Sequence, residues 1–465
     1  MGRFGGIAAG HPATVDAGAD VLAAGGNAAD AAVAAVFASC VGETIMTGLG
    51  GGGFATYFDA ASGVVTCLDF FTAIPGVEGG VASSMTAIDV AFGGVPMRFS
   101  IGGASVGVPG VVAGAAELHR RWGRTPWTRL LEPATSLAER GVPLPDEHAS
   151  TLPSVAPALV SGEGRAAYAP NGELLRGGQI LYHPGLVDAL DRIAQAGPGD
   201  FYTGVLGAQL VNDVRAAGGA LGPGDLAAYR VLSVPVRRTV FTGRVVCGRD
   251  DLNHTIGTLA ALPELSRLDE GDRAVAVADA LAGPDPGGPG DTTNISVIDR
   301  HGNACVVTTT LGIGSSVWIG GYGVHLNSML GEGELLRGPL TPGHRMGSMM
   351  CPLVVLDGRG VTVAAGSAGA SRIRTALLHV LVNHLVRGDS LDDALSRPRF
   401  HVAGPLVHTE PGVSTDALTS LVKAGYDLNE WSTDRHYFGG ASAVTPTQAA
   451  GDPRRAGAGR VVAGV

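Results

Sequence analysis

The period of apolar positions changes along this chain, and the changes divide it. Between residues 14 and 41 alanine and valine recur at helical spacing, which predicts two Ala-rich helices parted at Gly25-Gly26. A glycine run, Gly48-Leu-Gly-Gly-Gly-Gly53, comes next, and Phe54-Ala-Thr-Tyr-Phe58 behind it has the composition of a strand. Helical spacing returns over 111–122, 128–140, 184–196 and 205–217, the last three ending at Gly141, Gly197 and Gly218. Residues 231–247 alternate as strands do. Segment 283–291, Gly-Pro-Asp-Pro-Gly-Gly-Pro-Gly-Asp, can neither pack nor pair regularly and is the clearest linker.

Beyond that linker the period becomes two. Residues 292–299 and 303–310 read as strands around Arg300-His301-Gly302, a three-residue hairpin loop with glycine in the left-handed position. This register sets Asp299 opposite Asn303, and therefore Thr292 opposite Thr310 on one face. Gly366-Ser-Ala-Gly369-Ala370-Ser371 then leads into an apolar helix over 372–387, ended by Gly388. A glycine-rich turn at a helix start presents free N–H groups to an anion, though an ordinary strand-to-helix connection reads the same way. Ser390-x-x-Asp393 opens a short helix, and 415–424 forms another before Gly425. No internal repeat is evident.

A length of 465 residues predicts two or three domains or one large layered one. The net charge of −10 argues against nucleic acid and anionic membrane as partners. With 45% hydrophobic and 16% charged residues the chain can bury a sizeable core. Lys423 is the single lysine, and the Arg, Ala and Gly excess reads as codon bias without functional content. The five cysteines are scattered without metal-ligand spacing and read as buried free thiols. No secretory signal pattern opens the chain, and Ala31 to Val41 is too short to span a bilayer, so a soluble, cytoplasmic protein is expected.

Two motifs mislead. The run at 48–53 satisfies G-x-G-x-x-G, but a dinucleotide site needs strand, glycines, then helix, and the order here is helix, glycines, strand. Close backbone packing explains these glycines better. Gly103-Ala-Ser105-Val-Gly107 matches the nucleophile elbow of serine hydrolases, yet Val108-Pro109-Gly110 follows where a helix should start at once. His379 and His384 are five apart on a helix, so they cannot share a metal as an i,i+4 pair does. No metal, nucleotide or organic cofactor is expected.

The chemistry concentrates at Thr292. A threonine at the head of a strand, directly after a flexible segment, is what an N-terminal nucleophile enzyme requires. Its hydroxyl can reach the carbonyl of Asp291, and an N-to-O acyl shift followed by hydrolysis would cut the chain there. The freed α-amino group, with an ordinary pKa of about 7.7–8.0, can act as general base for its own hydroxyl. Thr310 would hold Thr292 in the reactive rotamer, and the N–H groups of Gly369 and Ala370 would form an oxyanion hole. The alternative is that Thr-Thr is merely a β-branched strand start.

Several motifs carry a resemblance. Ala24-Gly-Gly-Asn-Ala-Ala-Asp-Ala-Ala-Val33, Leu49-Gly-Gly-Gly-Gly-Phe54, Val108-Pro-Gly-Val-Val-Ala-Gly114, Leu130-Leu-Glu-Pro-Ala134 and Asp225-Leu-Ala-Ala-Tyr229 lie before the linker. Gly290-Asp-Thr-Thr-Asn294, Pro342-Gly-His-Arg345, Gly366-Ser-Ala-Gly-Ala-Ser-Arg372 and Arg397-Pro-Arg-Phe-His401 lie at its end or after it. Over nearly its whole length the chain resembles the γ-glutamyltranspeptidase family. The resemblance implies an α/β (α+β) class fold, a four-layer αββα N-terminal-nucleophile hydrolase sandwich. It also implies self-cleavage between Asp291 and Thr292 into a large subunit, 1–291, and a small subunit, 292–465, which together form one domain.

The departures from the family pattern concern the substrate. The family grips the glutamyl α-carboxylate with an Arg in Asp-Phe-Arg-Glu, whereas this chain reads Asp69-Phe70-Phe71-Thr72. The family's Ser-Ser pair is Ser348-Met349 here, and its Thr-Leu-Asn is Thr310-Leu311-Gly312. Met329 falls where an amide is common, and Glu332 stands in for the usual acid. Phe71, Met329 and Met349 would make the pocket more apolar, and the large subunit is shortened between about Arg249 and Asp291. The expected activity is hydrolysis or acyl transfer through a Thr292 acyl-enzyme, on a small amino-acid-derived substrate other than plain glutathione. Carbon–carbon bond hydrolysis, as reported from a divergent branch that builds 4-alkylproline units of antibiotics, and a scaffold without catalysis are the alternatives.

Overall fold

A computed structural model describes residues 4–92, 95–282, 292–336, 338–433 and 436–463. Two antiparallel sheets are stacked face to face. The first runs Ala458–Val462, Gly5–Ala9, Thr293–Ile298, Ala304–Thr310, Gly52–Asp59, Val64–Phe70 and Leu232–Val234. The second runs Ala449–Gly451, Gly440–Val444, Gly360–Ala368, Leu353–Asp357, Arg244–Gly248 and Arg237–Phe241. Alternation sends Ala8, Phe58, Ile298 and Val306 of the first sheet inward against Cys247, Val354, Ala364 and Val444 of the second. Helices including Ala28–Gly42, Val111–Trp122 and Trp127–Arg140 cover the outer face of the first sheet. Glu270–Leu281 and Arg372–Val382 cover the second. This is the helix–sheet–sheet–helix sandwich that the sequence implied.

Helix Ala28–Gly42 explains the Ala-rich stretch near the start. Every one of its residues is buried, so it has no polar face to present to water. Small side chains let it lie close to the sheet, and Asn27 and Asp30 close a capping box at its start. The Asp299 carboxylate accepts the Ala28 N–H at 3.0 Å, tying the first turn of this helix to the hairpin.

The hairpin takes the expected register. Thr293 pairs with Thr309 and Ile298 with Ala304, and Gly302 has φ of 86° at the loop. The adjacent glycine run serves backbone packing. A Cβ on Gly51 would lie 2.3 Å from the Thr310 carbonyl oxygen, and one on Gly53 2.4 Å from that of Thr308. The helix expected over 372–387 is regular only to Val382 and continues as a wider π-helical turn, Asn383–Arg387.

Strands from both sides of the linker share each sheet, so no boundary at 291/292 separates two cores. The linker 283–291, with Asp291, lies outside the described residues. Among the described residues no helix is long and apolar enough to cross a membrane, and no three His, Cys, Asp or Glu side chains converge as metal ligands.

Candidate active site

Thr292 sits at the head of strand Thr293–Ile298 and is 3% exposed. The strand register carries Thr310 to the position opposite it. Thr292, Thr310, Phe71, Met329, Glu332, Ser348, Met349 and Ala370 line one pocket. Two further predicted residues adjoin it through the chain: Gly369 precedes Ala370, and Gly312 donates its N–H to the Thr310 hydroxyl at 2.9 Å. Residues separated by more than 250 positions in sequence therefore meet at one hydroxyl.

The turn before helix Arg372–Val382 is strained. Gly369 has φ of 116° and Ala370, which carries a side chain, has φ of 51°. Left-handed geometry at a non-glycine residue costs energy and is concentrated at functional positions. Among the described residues neither the Gly369 nor the Ala370 N–H is bonded to a protein acceptor. Of the two readings the segment allowed, this geometry suits an anion-holding turn.

A buried carboxylate anchors the strand from the other side. Glu43, at the end of helix Ala28–Gly42, accepts hydrogen bonds from the hydroxyls of Thr14 (2.6 Å) and Thr293. Burial pushes its pKa from 4.5 up to about 7, against the pull of both hydroxyls. The folded protein thus holds a proton on Glu43 that the unfolded chain has released between about pH 4.5 and 7. Stability consequently falls as pH rises through that window. Glu43→Gln should flatten this slope, read as the shift in denaturation midpoint between pH 5 and pH 8. An unchanged slope would remove Glu43 from the account.

The apolar wall at Phe71 is held on both sides. Its N–H donates to the Asp69 carboxylate at 2.8 Å, and its carbonyl accepts the Tyr229 hydroxyl at 2.7 Å. Asp69 also pairs with Arg345 at 3.3 Å, whose guanidinium lies 4.1 Å over the Tyr229 ring. Burial nevertheless raises the Asp69 pKa, outweighing Arg345. The Phe71 ring stacks on Phe54 at 5.4 Å, which directs an aromatic face where the resemblance would place a guanidinium.

Gly312 and Glu332 form a matched pair. With φ of 70°, Gly312 would direct a Cβ to within 2.2 Å of the Glu332 carboxylate and 2.7 Å of the Ser328 hydroxyl. The carboxylate therefore fills space that a side chain at 312 would take. Two departures that look independent in the sequence compensate each other in space.

Sequence reasoning missed Leu335, Met350 and Ile373, which also line the pocket. It also missed the residues that hold the Ser348–Met350 loop. Arg249 is 6% exposed and donates to the carbonyls of Ser348 (3.1 Å) and Met350 (2.9 Å). It pairs with Asp251 at 2.6 Å, and that carboxylate accepts the Ser348 N–H at 2.9 Å. The guanidinium also lies 3.7 Å over the Phe54 ring. The signal was the pair Arg249-x-Asp251 at the end of an alternating apolar strand, where charges are unexpected. Helical spacing from Ala370 would likewise have found Ile373.

Comparison with known proteins supports one assignment. The family described as Gamma-glutamyltranspeptidase matches residues 14–269 and 269–462. The chain is 29% identical to the acylase ACY 1 proenzyme of Pseudomonas sp. (strain SE83), covering 92% of this chain and 88% of that one. It is 27% identical to the glutathione hydrolase proenzyme of Bacillus subtilis (strain 168), covering 93% and 87%. The solved structure of cephalosporin acylase from Bacillus halodurans matches in fold, with a TM-score of 0.81 at 22% identity over 100% of this chain and 96% of that one. With its motifs, its layered sheets and this match over nearly the full length, the chain belongs to the γ-glutamyltranspeptidase family, and it is an enzyme of the N-terminal-nucleophile hydrolase class.

Proposed function

We propose that the protein cuts itself between Asp291 and Thr292 and then works as an acylase through a Thr292 ester. The substrate is a small amino-acid-derived molecule whose acyl part lacks the glutamyl α-carboxylate. In the first step the Thr292 hydroxyl attacks the Asp291 carbonyl carbon, the C–N bond breaks and an ester forms. Water then hydrolyses the ester, leaving chains 1–291 and 292–465 with a free α-amino group on Thr292. That amine takes the hydroxyl proton when Thr292 attacks the substrate carbonyl and returns it to the leaving amine. The N–H groups of Gly369 and Ala370 hold the oxyanion, a contribution of about 3–4 kcal/mol per donor in comparable sites. Thr310 positions the nucleophile, and water or an amine removes the acyl group.

The observation that carries the substrate reading is the pocket wall itself: Phe71, Met329 and Met349 beside Thr292, with Glu332 as the acidic lining residue and no Arg among the described residues lining it. Among the described lining residues a substrate carboxylate meets apolar side chains and an acid, and no guanidinium. Glu332 suits an ammonium or N–H group of the acyl part. That relatives include an acylase as well as glutathione hydrolases fits this preference. Five buried, unpaired cysteines favour a reducing, cytoplasmic setting.

The test compares γ-glutamyl-p-nitroanilide with 4-aminobutanoyl-p-nitroanilide, the same group without its carboxylate. Losing a charge-assisted pair costs about 1.5–3 kcal/mol, so kcat/KM should favour the aminobutanoyl compound by about 10–100-fold. Preference for the γ-glutamyl compound would sink the reading of Phe71. Cleaved enzyme inert towards both would favour the carbon–carbon bond hydrolase. Biological activity retained without the Thr292 hydroxyl would indicate a scaffold.

A further inference from the structure

A cavity of about 290 Å³ shares no lining residue with the Thr292 pocket. It lies between helix Glu270–Leu281, the last helix before the linker, and the helical segment that runs from Arg372 to Arg387. We propose that it binds a small organic carboxylate, at a site formed by elements from both sides of the linker.

Charge is the first argument. Arg273, Arg387 and Arg397 all line the cavity. Arg397 is taken up by a two-pronged contact with Asp389, at 2.5 and 3.2 Å. Arg387 reaches Glu270 through one nitrogen at 3.4 Å. Arg273 donates only to the main-chain carbonyls of Leu265 (3.3 Å) and Leu268 (2.7 Å) and has no carboxylate within ion-pair distance among the described residues. Glu270 and Asp269 act on Arg273 only from beyond ion-pair distance, so of the three guanidinium groups it alone has no direct carboxylate contact among the described residues and stands open to an incoming anion. Burial and the neighbouring Arg387 lower the Arg273 pKa by more than Glu270 and Asp269 raise it. His379 does not add to the charge, because burial and nearby arginines push its pKa down to about 3.

Shape supplies the second argument. Asn383 and Arg387 both reach the cavity from the π-helical turn Asn383–Arg387. Such a turn gives up regular helix hydrogen bonding and recurs at binding sites. Val277, Phe400 and Val413 form an apolar lining beside the cationic groups. Cationic groups next to an apolar surface match a carboxylate with a hydrocarbon body better than a fully hydrated inorganic anion. The volume lies at the small end of ligand pockets, so the ligand is metabolite-sized.

Isothermal titration calorimetry at low salt tests the site with 3-phenylpropanoate, 3-phenylpropanamide and inorganic phosphate. Binding of the carboxylate at one per chain is expected, with the amide and phosphate at least about tenfold weaker for want of the charge-assisted contact beside an apolar body. Arg273→Gln and Val413→Trp, which remove the charge and fill the space respectively, should each weaken binding at least tenfold. Thr292→Ala should leave it intact, separating this site from the nucleophile's pocket. Melting curves identify any variant that fails to fold, and the other then decides. Equal affinity for the amide, phosphate binding as tight as the carboxylate, or binding insensitive to a folded variant would each overturn the proposal.

Discussion

Thr292→Ala should yield one uncut chain and no measurable turnover. In the proposed mechanism the side chain supplies the hydroxyl for both self-cleavage and acyl transfer, so a single deletion removes both. Loss of a catalytic nucleophile costs about six orders of magnitude in comparable hydrolases. Thr292→Ser keeps the hydroxyl and should still cut, more slowly, because the methyl group that restricts the rotamer is gone. Thr293 offers no substitute, since its hydroxyl is committed to Glu43 on the helix side of the sheet. A denaturing gel and a progress curve read both outcomes. Normal cutting of the alanine variant would move the nucleophile elsewhere.

Arg249→Met is the second large effect. Arg249 is buried, bonds two carbonyls of the loop that carries Ser348 and Met349, and pairs with Asp251. Removing it leaves two carbonyls without their donor and the partly exposed Asp251 carboxylate with only the Ser348 N–H, a loss of about 1–3 kcal/mol. The loop then loses its fixed position against the pocket, so KM should rise more than kcat falls. Arg249→Lys keeps the charge but cannot bridge three acceptors and lie flat on Phe54, and it should recover only part of the loss. Thermal melting with substrate titration measures both. Wild-type stability and KM in Arg249→Met would reduce the clamp to a surface contact.

Much of the layered fold and of the pocket was legible because its signals are local. A three-residue loop with a glycine fixed the hairpin register, and period-two spacing then set Thr292 opposite Thr310. The glycine run announced close packing, which Gly51 and Gly53 bear out against the Thr308 and Thr310 carbonyls. Motif departures at Phe71, Met329 and Met349 could be assigned to one pocket only through the family resemblance, since they lie on three separate segments. What stayed hidden depends on contacts distant in sequence. No local pattern marks Glu43 as the partner of Thr293, 250 positions away, or Arg249 as the support of a loop about 100 positions on. The dependence of Gly312 on Glu332 is of the same kind. The π-helical turn at Asn383–Arg387 was missed because its apolar spacing continues that of the helix before it.

The most direct measurement is N-terminal sequencing of the chains separated from freshly purified protein under denaturing conditions. The account predicts two chains, the smaller beginning Thr-Thr-Asn-Ile-Ser. A single intact chain in folded, active protein would contradict it.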